Sequence, residues 1–263
     1  MLTNKKLIVV GGTTGLGLSA ARAFLAHGAL VTVIGRNSDS CHQAREALGS
    51  TALVIQGDAT HEDTVPRAIQ QTVALFGGFD GLYHVAGGSG RKMGDGPLHE
   101  LTLEGWNKTM ELNLTSLMLS NQAAVRAFLE TGHPGVILNM SSVLGFSPSV
   151  KYFSTHAYAT AKAAIIGFSK SLAAYYATHN IRVNVVAPAL VETPMAQRAA
   201  TDPQILQFIQ TKQPLDGGRI GHPADLDGAA CYLMSDMAAF VTGQVLAIDG
   251  GWSSTEGQFP LQS

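Results

Sequence analysis

Lys6-Leu7-Ile8-Val9-Val10 runs without a break into Gly11-Gly12-Thr13-Thr14-Gly15-Leu16-Gly17. The apolar run reads as a strand buried on both faces. A helical pattern begins at about residue 16. Between them, Gly11 permits a tight turn, Gly15 lets backbone approach a pyrophosphate, and Gly17 lets helix and strand pack closely. The helix start then offers free N–H groups and the positive end of its dipole to a phosphate. A glycine pattern alone is also what a flexible turn looks like. Its place between strand and helix favours a dinucleotide site that includes Thr13, Thr14 and Leu16.

Working outward, further β-rich runs at 30–34, 52–55, 81–85, 135–140, 182–187 and 245–248 alternate with helical patterns. The helical stretches are about 16–27, 39–48, 62–76, 103–131, 157–179 and 223–235. Such alternation predicts βαβ units. The expected fold is α/β: one doubly wound Rossmann-type domain over 1–263, with a parallel sheet of about seven strands. The least regular stretches, 86–101 and 188–222, follow strand ends, where such sheets bind ligands. The second is the expected substrate-loop region.

Bulk properties narrow the class. The net charge is −2, with 46% hydrophobic and 14% charged residues. That gives no electrostatic case for nucleic acid or an anionic membrane. No apolar stretch reaches membrane-spanning length, and the opening residues lack a signal-peptide pattern. Cys41 and Cys231 are the only cysteines, so a disulfide framework is not expected and a cytoplasmic location is. The nine histidines form no local ligand motif, and no metal is predicted.

The second strand ends in Gly35-Arg36-Asn37. An arginine here suits the 2′-phosphate of NADP, whereas NAD sites usually carry an acid. NADP(H) is therefore favoured, with NAD(H) the alternative. Asp39 reads as a helix-start residue. Asp58, followed by Ala59, reads equally as an acceptor for an adenine amino group or as a turn acid.

Tyr158-Ala159-Thr160-Ala161-Lys162 places a phenol and an ammonium on one helix face. An adjacent cation should lower the phenol pKa toward neutrality, as a general acid/base requires. Alone, the pair would pass as part of an ordinary amphipathic helix. However, Ser142 ends the preceding strand, positioned to hold a carbonyl that Tyr158 protonates. Asn113 interrupts a helical pattern, where its side chain competes with the backbone and could open a turn that holds a water.

In order and spacing, this set resembles the short-chain dehydrogenase/reductase family from Leu7 to about Trp252. The resemblance rests on Gly11-x3-Gly15-x-Gly17, Asp58, Asn113, Ser142, Tyr158-x3-Lys162, Pro188 to Thr193, and Thr242-Gly243-Gln244-Val245 through Asp249-Gly250-Gly251. It implies a crossover between the first and fourth strands and a catalytic tetrad of Asn113, Ser142, Tyr158 and Lys162. Lys162 would also hold the nicotinamide ribose, Asn113 a relay water, and Thr193 the carboxamide. Ala86, Gly87, Pro188 and Val191 join the implied cofactor contacts. A homotetramer or homodimer is implied as well. The chain departs from the family pattern at Val10, His84 and Ala189. Val10 and His84 remove a hydroxyl bond to the fourth strand and a sheet brace. Ser142 and Tyr158 are also about three residues further apart than is common. Tyr152, the rival tyrosine, meets His156 rather than lysine four residues on.

The expected activity is therefore interconversion of a small carbonyl and its alcohol. Alternatives are a 3-oxoacyl-carrier-protein reductase and a silent NADP-binding sensor. The segments 87–97, 143–157 and 189–215 should border the substrate, with Phe146, Tyr152, Phe153, Met195, Leu206 and Phe208 making a partly apolar pocket. Arg91 and Lys92, in a loop with glycines at 87, 88, 90, 94 and 96, read first as solvated charges and second as an anion contact.

Overall fold

The computed structural model describes residues 1–257. Seven strands form one parallel sheet: β1 (Lys6–Val10), β2 (Leu30–Gly35), β3 (Ala52–Gln56), β4 (Gly81–His84), β5 (Gly135–Met140), β6 (Ile181–Pro188) and β7 (Val245–Ile248). Their order is β3-β2-β1-β4-β5-β6-β7. The direction of winding reverses between β1 and β4, which opens a crevice at the carboxyl ends of the strands.

Both sheet faces are covered because side chains alternate along each strand. Leu7 and Val9 of β1 join Val31, Val33 and Leu138 beneath α1 (Gly15–Ala26), α2 (Ser38–Leu48) and α9 (Asp227–Met234). Ile8 and Val10 join Leu82, Ile137 and Val183 beneath α3 (Thr64–Phe76) and α5 (Ser116–Thr131). The long helix α6 (His156–Tyr176) contributes Ala173 to this second face.

Two elements differ from the reading of the sequence. The predicted helix 103–131 is α4 (Leu103–Met110), a π-helical turn Glu111–Thr115, and α5. Asn113 explains the widening. Its Nδ2 donates 2.9 Å bonds to Thr109 O, four residues back, and to Gly88 O. The first takes the carbonyl that backbone would use in α-helical register. The region 188–222 is also more regular than expected, holding α7 (Gln197–Thr201) and α8 (Pro203–Lys212). Asp202 caps α8 by accepting from Gln204 N and Ile205 N, with Pro203 leading the helix. Ala199, Ile205 and Ile209 pack with Val143 and Trp252 in a third apolar cluster above the strand ends.

The family departures are absorbed locally. Val10 O accepts from both Val85 N and Ala86 N at 2.9 Å, so backbone ties β1 to the chain leaving β4. His84 Nδ1 lies 3.0 Å from Ser120 Oγ and braces β4 against α5 rather than across the sheet. Among the described residues, no helix is long and apolar enough to cross a membrane.

Candidate active site

A cleft of about 1320 Å³ lies along the carboxyl ends of the strands. At one end, glycines are required by contact. Gly11 has a φ of +80°, and a Cβ there would sit 2.7 Å from Ala86 N. A Cβ on Gly17 would sit 2.1 Å from Gly11 O, so helix α1 rests directly on the turn. Thr14, the N-cap of α1, makes no side-chain cap bond. The turn and the first N–H groups of α1 thus form a backbone cradle matched in shape and polarity to a pyrophosphate.

Further along, Thr13 Oγ1 lies 3.1 Å from Ser40 Oγ. A Cβ on Gly35 would meet Thr13 Oγ1 at 2.2 Å, so only glycine fits. Arg36 is largely exposed and lies 3.7 Å from Asp58 Oδ2. Burial opposes ionisation of Asp58, but bonds from Thr60 N and Oγ1, at 3.0 and 2.8 Å, and the Arg36 charge outweigh it and hold the carboxyl below its ordinary range. Asp39 sits in the first turn of α2, and Asn37 is its cap.

At the centre, β5 and α6 are joined by Ser141 Oγ donating to Lys162 O at 2.7 Å. Ser142 Oγ accepts from Leu144 N at 3.2 Å and donates to Pro188 O at 3.4 Å, and it faces the same cleft as the Tyr158 phenol. Lys162 is buried, its Nζ donates to Met140 O at 3.0 Å, and it lies 5.4 Å from the Tyr158 ring centroid. The expectation that the phenol is drawn toward neutrality is not met by the protein's own groups. Burial pushes Tyr158 up to about 12, opposed in part by the Ser142 side chain. The same burial pulls Lys162 down to about 8. The low-polarity wall disfavours both charges, and it is the ammonium that yields first.

Asp95 escaped the sequence reading. It is buried, and its carboxylate accepts from Ala157 N and Tyr158 N, each at 3.0 Å. The loop after β4 therefore caps α6 and sets the height of Tyr158. Sequence gives little warning, because the cap comes from 62 residues upstream rather than from Thr155, whose side chain makes no cap bond.

Of the nominated residues, Gly11, Thr13, Thr14, Gly15, Leu16, Arg36, Asp58, Ala59, Ala86, Gly87, Ser142, Tyr158, Lys162, Pro188, Val191 and Thr193 all line the cleft. Gly17 and Asn113 stand behind its wall. Asn113 holds the loop after β4, since Gly88 N donates to its Oδ1 at 3.1 Å while its Nδ2 is committed as described. The side chain thus spends both amide hydrogens and one of two Oδ1 lone pairs on protein groups, so a water there would fall mainly to the backbone of the widened turn. The apolar lining is Phe153 and Met195 as expected, with Leu144 and Trp252 added. Tyr152 and Phe208 do not line it. Their rings lie tilted at 5.3 Å, and Phe208 meets Trp252 edge-on at 5.7 Å, so they back the wall. Phe146 is exposed outside it, and Leu206 also lies off the cleft. Among the described residues, no group of three or more His, Cys, Asp or Glu side chains could hold a metal ion.

Comparison with known proteins gives the family. Residues 10–253 match the family model described as enoyl-(acyl carrier protein) reductase. The chain is 35% identical to a 2,5-dichloro-2,5-cyclohexadiene-1,4-diol dehydrogenase of Sphingobium indicum, over 96% of this chain and 98% of the other. It is 34% identical to a cis-4-hydroxycyclohexanecarboxylate dehydrogenase of Sinomonas cyclohexanicum, over 94% and 96%. A solved short-chain type dehydrogenase/reductase from Mycobacterium ulcerans superposes with a TM-score of 0.88 at 30% identity, covering 97% of this chain and 91% of that one. The chain belongs to the short-chain dehydrogenase/reductase family. It is an NAD(P)-dependent oxidoreductase acting on a CH–OH or carbonyl group.

Proposed function

We propose that this enzyme prefers NADP(H) to NAD(H) and interconverts a small carbonyl and its alcohol with Tyr158 as general acid/base. The observation that carries the reading is the meeting of Tyr158, Ser142 and Lys162 in the same cleft as the glycine cradle. The nicotinamide supplies or accepts the hydride when bound. Gly11, Gly15 and the start of α1 would hold its pyrophosphate, Asp58 and Ala59 the adenine, and Ala86, Gly87, Pro188, Val191 and Thr193 the far end. Ser142 orients the carbonyl oxygen toward the phenol. Tyr158 delivers the proton at that oxygen or removes it from the alcohol. Lys162 offsets the charge left on the phenol, and the turn around Asn113 supports proton supply behind it. Residues 188–222 form the substrate cover.

Arg36 carries the cofactor preference, since it is free on its outer side to take a 2′-phosphate in bidentate fashion. The relatives named above are both called dehydrogenases of ring alcohols, which supports a cyclic secondary alcohol or ketone as substrate. A dimer or tetramer in the cytoplasm completes the proposal. The test is NADPH and NADH consumption across a panel of cyclic ketones, keto-esters, quinones and sugars, with wild type and Arg36→Ala. NADPH should be preferred, and the substitution should weaken NADPH by about tenfold or more while sparing NADH, as expected for one lost charged contact. An equal effect on both cofactors would leave Arg36 as a surface residue.

A further inference from the structure

Arg91 opens a short 3-10 turn, Arg91–Met93, in the loop after β4, and Arg198 lies on α7. They come from segments 107 residues apart in sequence and reach one backbone oxygen. Arg91 Nη2 donates to Tyr152 O at 3.0 Å and Arg198 Nη2 at 3.3 Å. Both side chains line the cleft. Among the described residues, neither has a carboxylate within ion-pair distance. The acid nearest in sequence to Arg91, Asp95, spends both its oxygens on Ala157 N and Tyr158 N.

A guanidinium has five N–H donors in a planar fork. One carbonyl takes a single donor from each arginine, so most of the two forks remain for something else. Arg91 is half-buried. Burial and the neighbouring Arg198 charge work against its protonated form, and the Asp95 charge offsets them only in part. Two like charges held together on a cleft wall, with no carboxylate among the described residues in ion-pair contact with either, are relieved by an anion, and arginine binds planar oxyanions in bidentate fashion. The pair does not belong to the cofactor's phosphates. Those fall to the turn after β1 and to Arg36 after β2, whereas α7 follows β6 on the other side of the crossover.

We propose that Arg91 and Arg198 form a subsite for an anionic group (a carboxylate, sulfonate or phosphate) on the substrate, away from the carbon that reacts at Tyr158. This rests on the assignment of Tyr158 as the reacting end. It raises the anion contact, read second in the sequence, to the role of Arg91, and replaces Lys92 by Arg198 as its partner. Lys92 is exposed and adds only positive potential at the cleft edge.

The test is calorimetric titration of enzyme loaded with NADP⁺, a complex that binds ketones without turning them over. The probes are 4-oxocyclohexanecarboxylate and the neutral 4-oxocyclohexanecarboxamide. Wild type should bind the carboxylate at least about tenfold more tightly, the effect of one charge-assisted contact. Arg91→Gln and Arg198→Gln should each lower carboxylate affinity by about tenfold and leave the carboxamide unchanged, which also shows that the variants are folded. Added salt should erode the carboxylate preference alone. Equal affinity of wild type for the two probes, no binding of the carboxylate, or a preference that survives both substitutions would overturn the subsite. NAD(P)H oxidation with the same ketones is measured separately. A carboxylate preference without turnover of any ketone supports the subsite and counts only against the oxidoreductase assignment.

Discussion

Lys162 is the group whose protonation changes in the working pH range. Burial brings it down to about 8, while Tyr158 is pushed up to about 12. Under the proposed mechanism of carbonyl reduction, the phenol gives up a proton and a neighbouring cation offsets the charge that remains. Below pH 8 the ammonium is present. Above it the ammonium is lost before the phenol itself ionises. We therefore expect kcat/KM for reduction to fall with a midpoint near 8, and Lys162→Met to lower the rate and remove that limb. A profile that stays flat from about pH 6 to 10 in the wild type would contradict it. The Tyr-x3-Lys spacing made this pair legible in the sequence, because helical periodicity alone brings residues i and i+4 together. The direction of the tyrosine shift was not legible. It depends on burial, which only the folded wall around the pair reveals. Asp95 was hidden for a related reason, as its partners are backbone N–H groups that every residue carries.

The turn at Glu111–Thr115 shows how one side chain can reset an element. Asparagine inside a helical pattern signalled a disturbance, and the widened turn sits where it was expected to sit. What the sequence did not show was its partner, Gly88, brought in by the loop after β4. Asn113 makes three hydrogen bonds in a fully buried position. Asn113→Leu should cost about 2–4 kcal/mol, since Gly88 N and O are left without partners. Chemical denaturation would read this as a lower midpoint at unchanged slope. A loss under about 0.5 kcal/mol would mean the loop is anchored elsewhere. Helices α7 and α8 were missed although Asp202-Pro203 is a start signal. At five and ten residues, they are too short for a helical period to stand out.

The parallel sheet was readable because most of its strands carry Val/Ile/Leu runs such as Leu7–Val10 and Val136–Leu138, which suit a sheet covered on both faces. The cover over the cleft was not, because it is assembled from distant chain segments: Val143, Ala199, Ile205, Ile209 and Trp252. The proposed dimer or tetramer belongs to the same scale. A groove between α5 and α6 is lined by Met118, Val125, Leu129, Phe168, Leu172 and Tyr176, together with the polar Asn121, Gln122 and Arg126. Apolar ground of this kind on an outer helix face suits a subunit contact. Light scattering should give a dimer or tetramer, and Leu129→Glu should shift it toward monomer. A wild-type monomer at micromolar concentration would remove the assembly from the account.

The central claim is that Tyr158 is the proton carrier of a carbonyl–alcohol interconversion, and Tyr158→Phe tests it most directly. The substitution keeps the ring in place beside Lys162 and removes only the hydroxyl. With a ketone that the wild type reduces, single-turnover measurement of NAD(P)H oxidation should show a rate lower by about 10²–10⁴, while cofactor affinity in the same variant is unchanged. A variant that reduces the ketone at a near-normal rate would contradict the assignment.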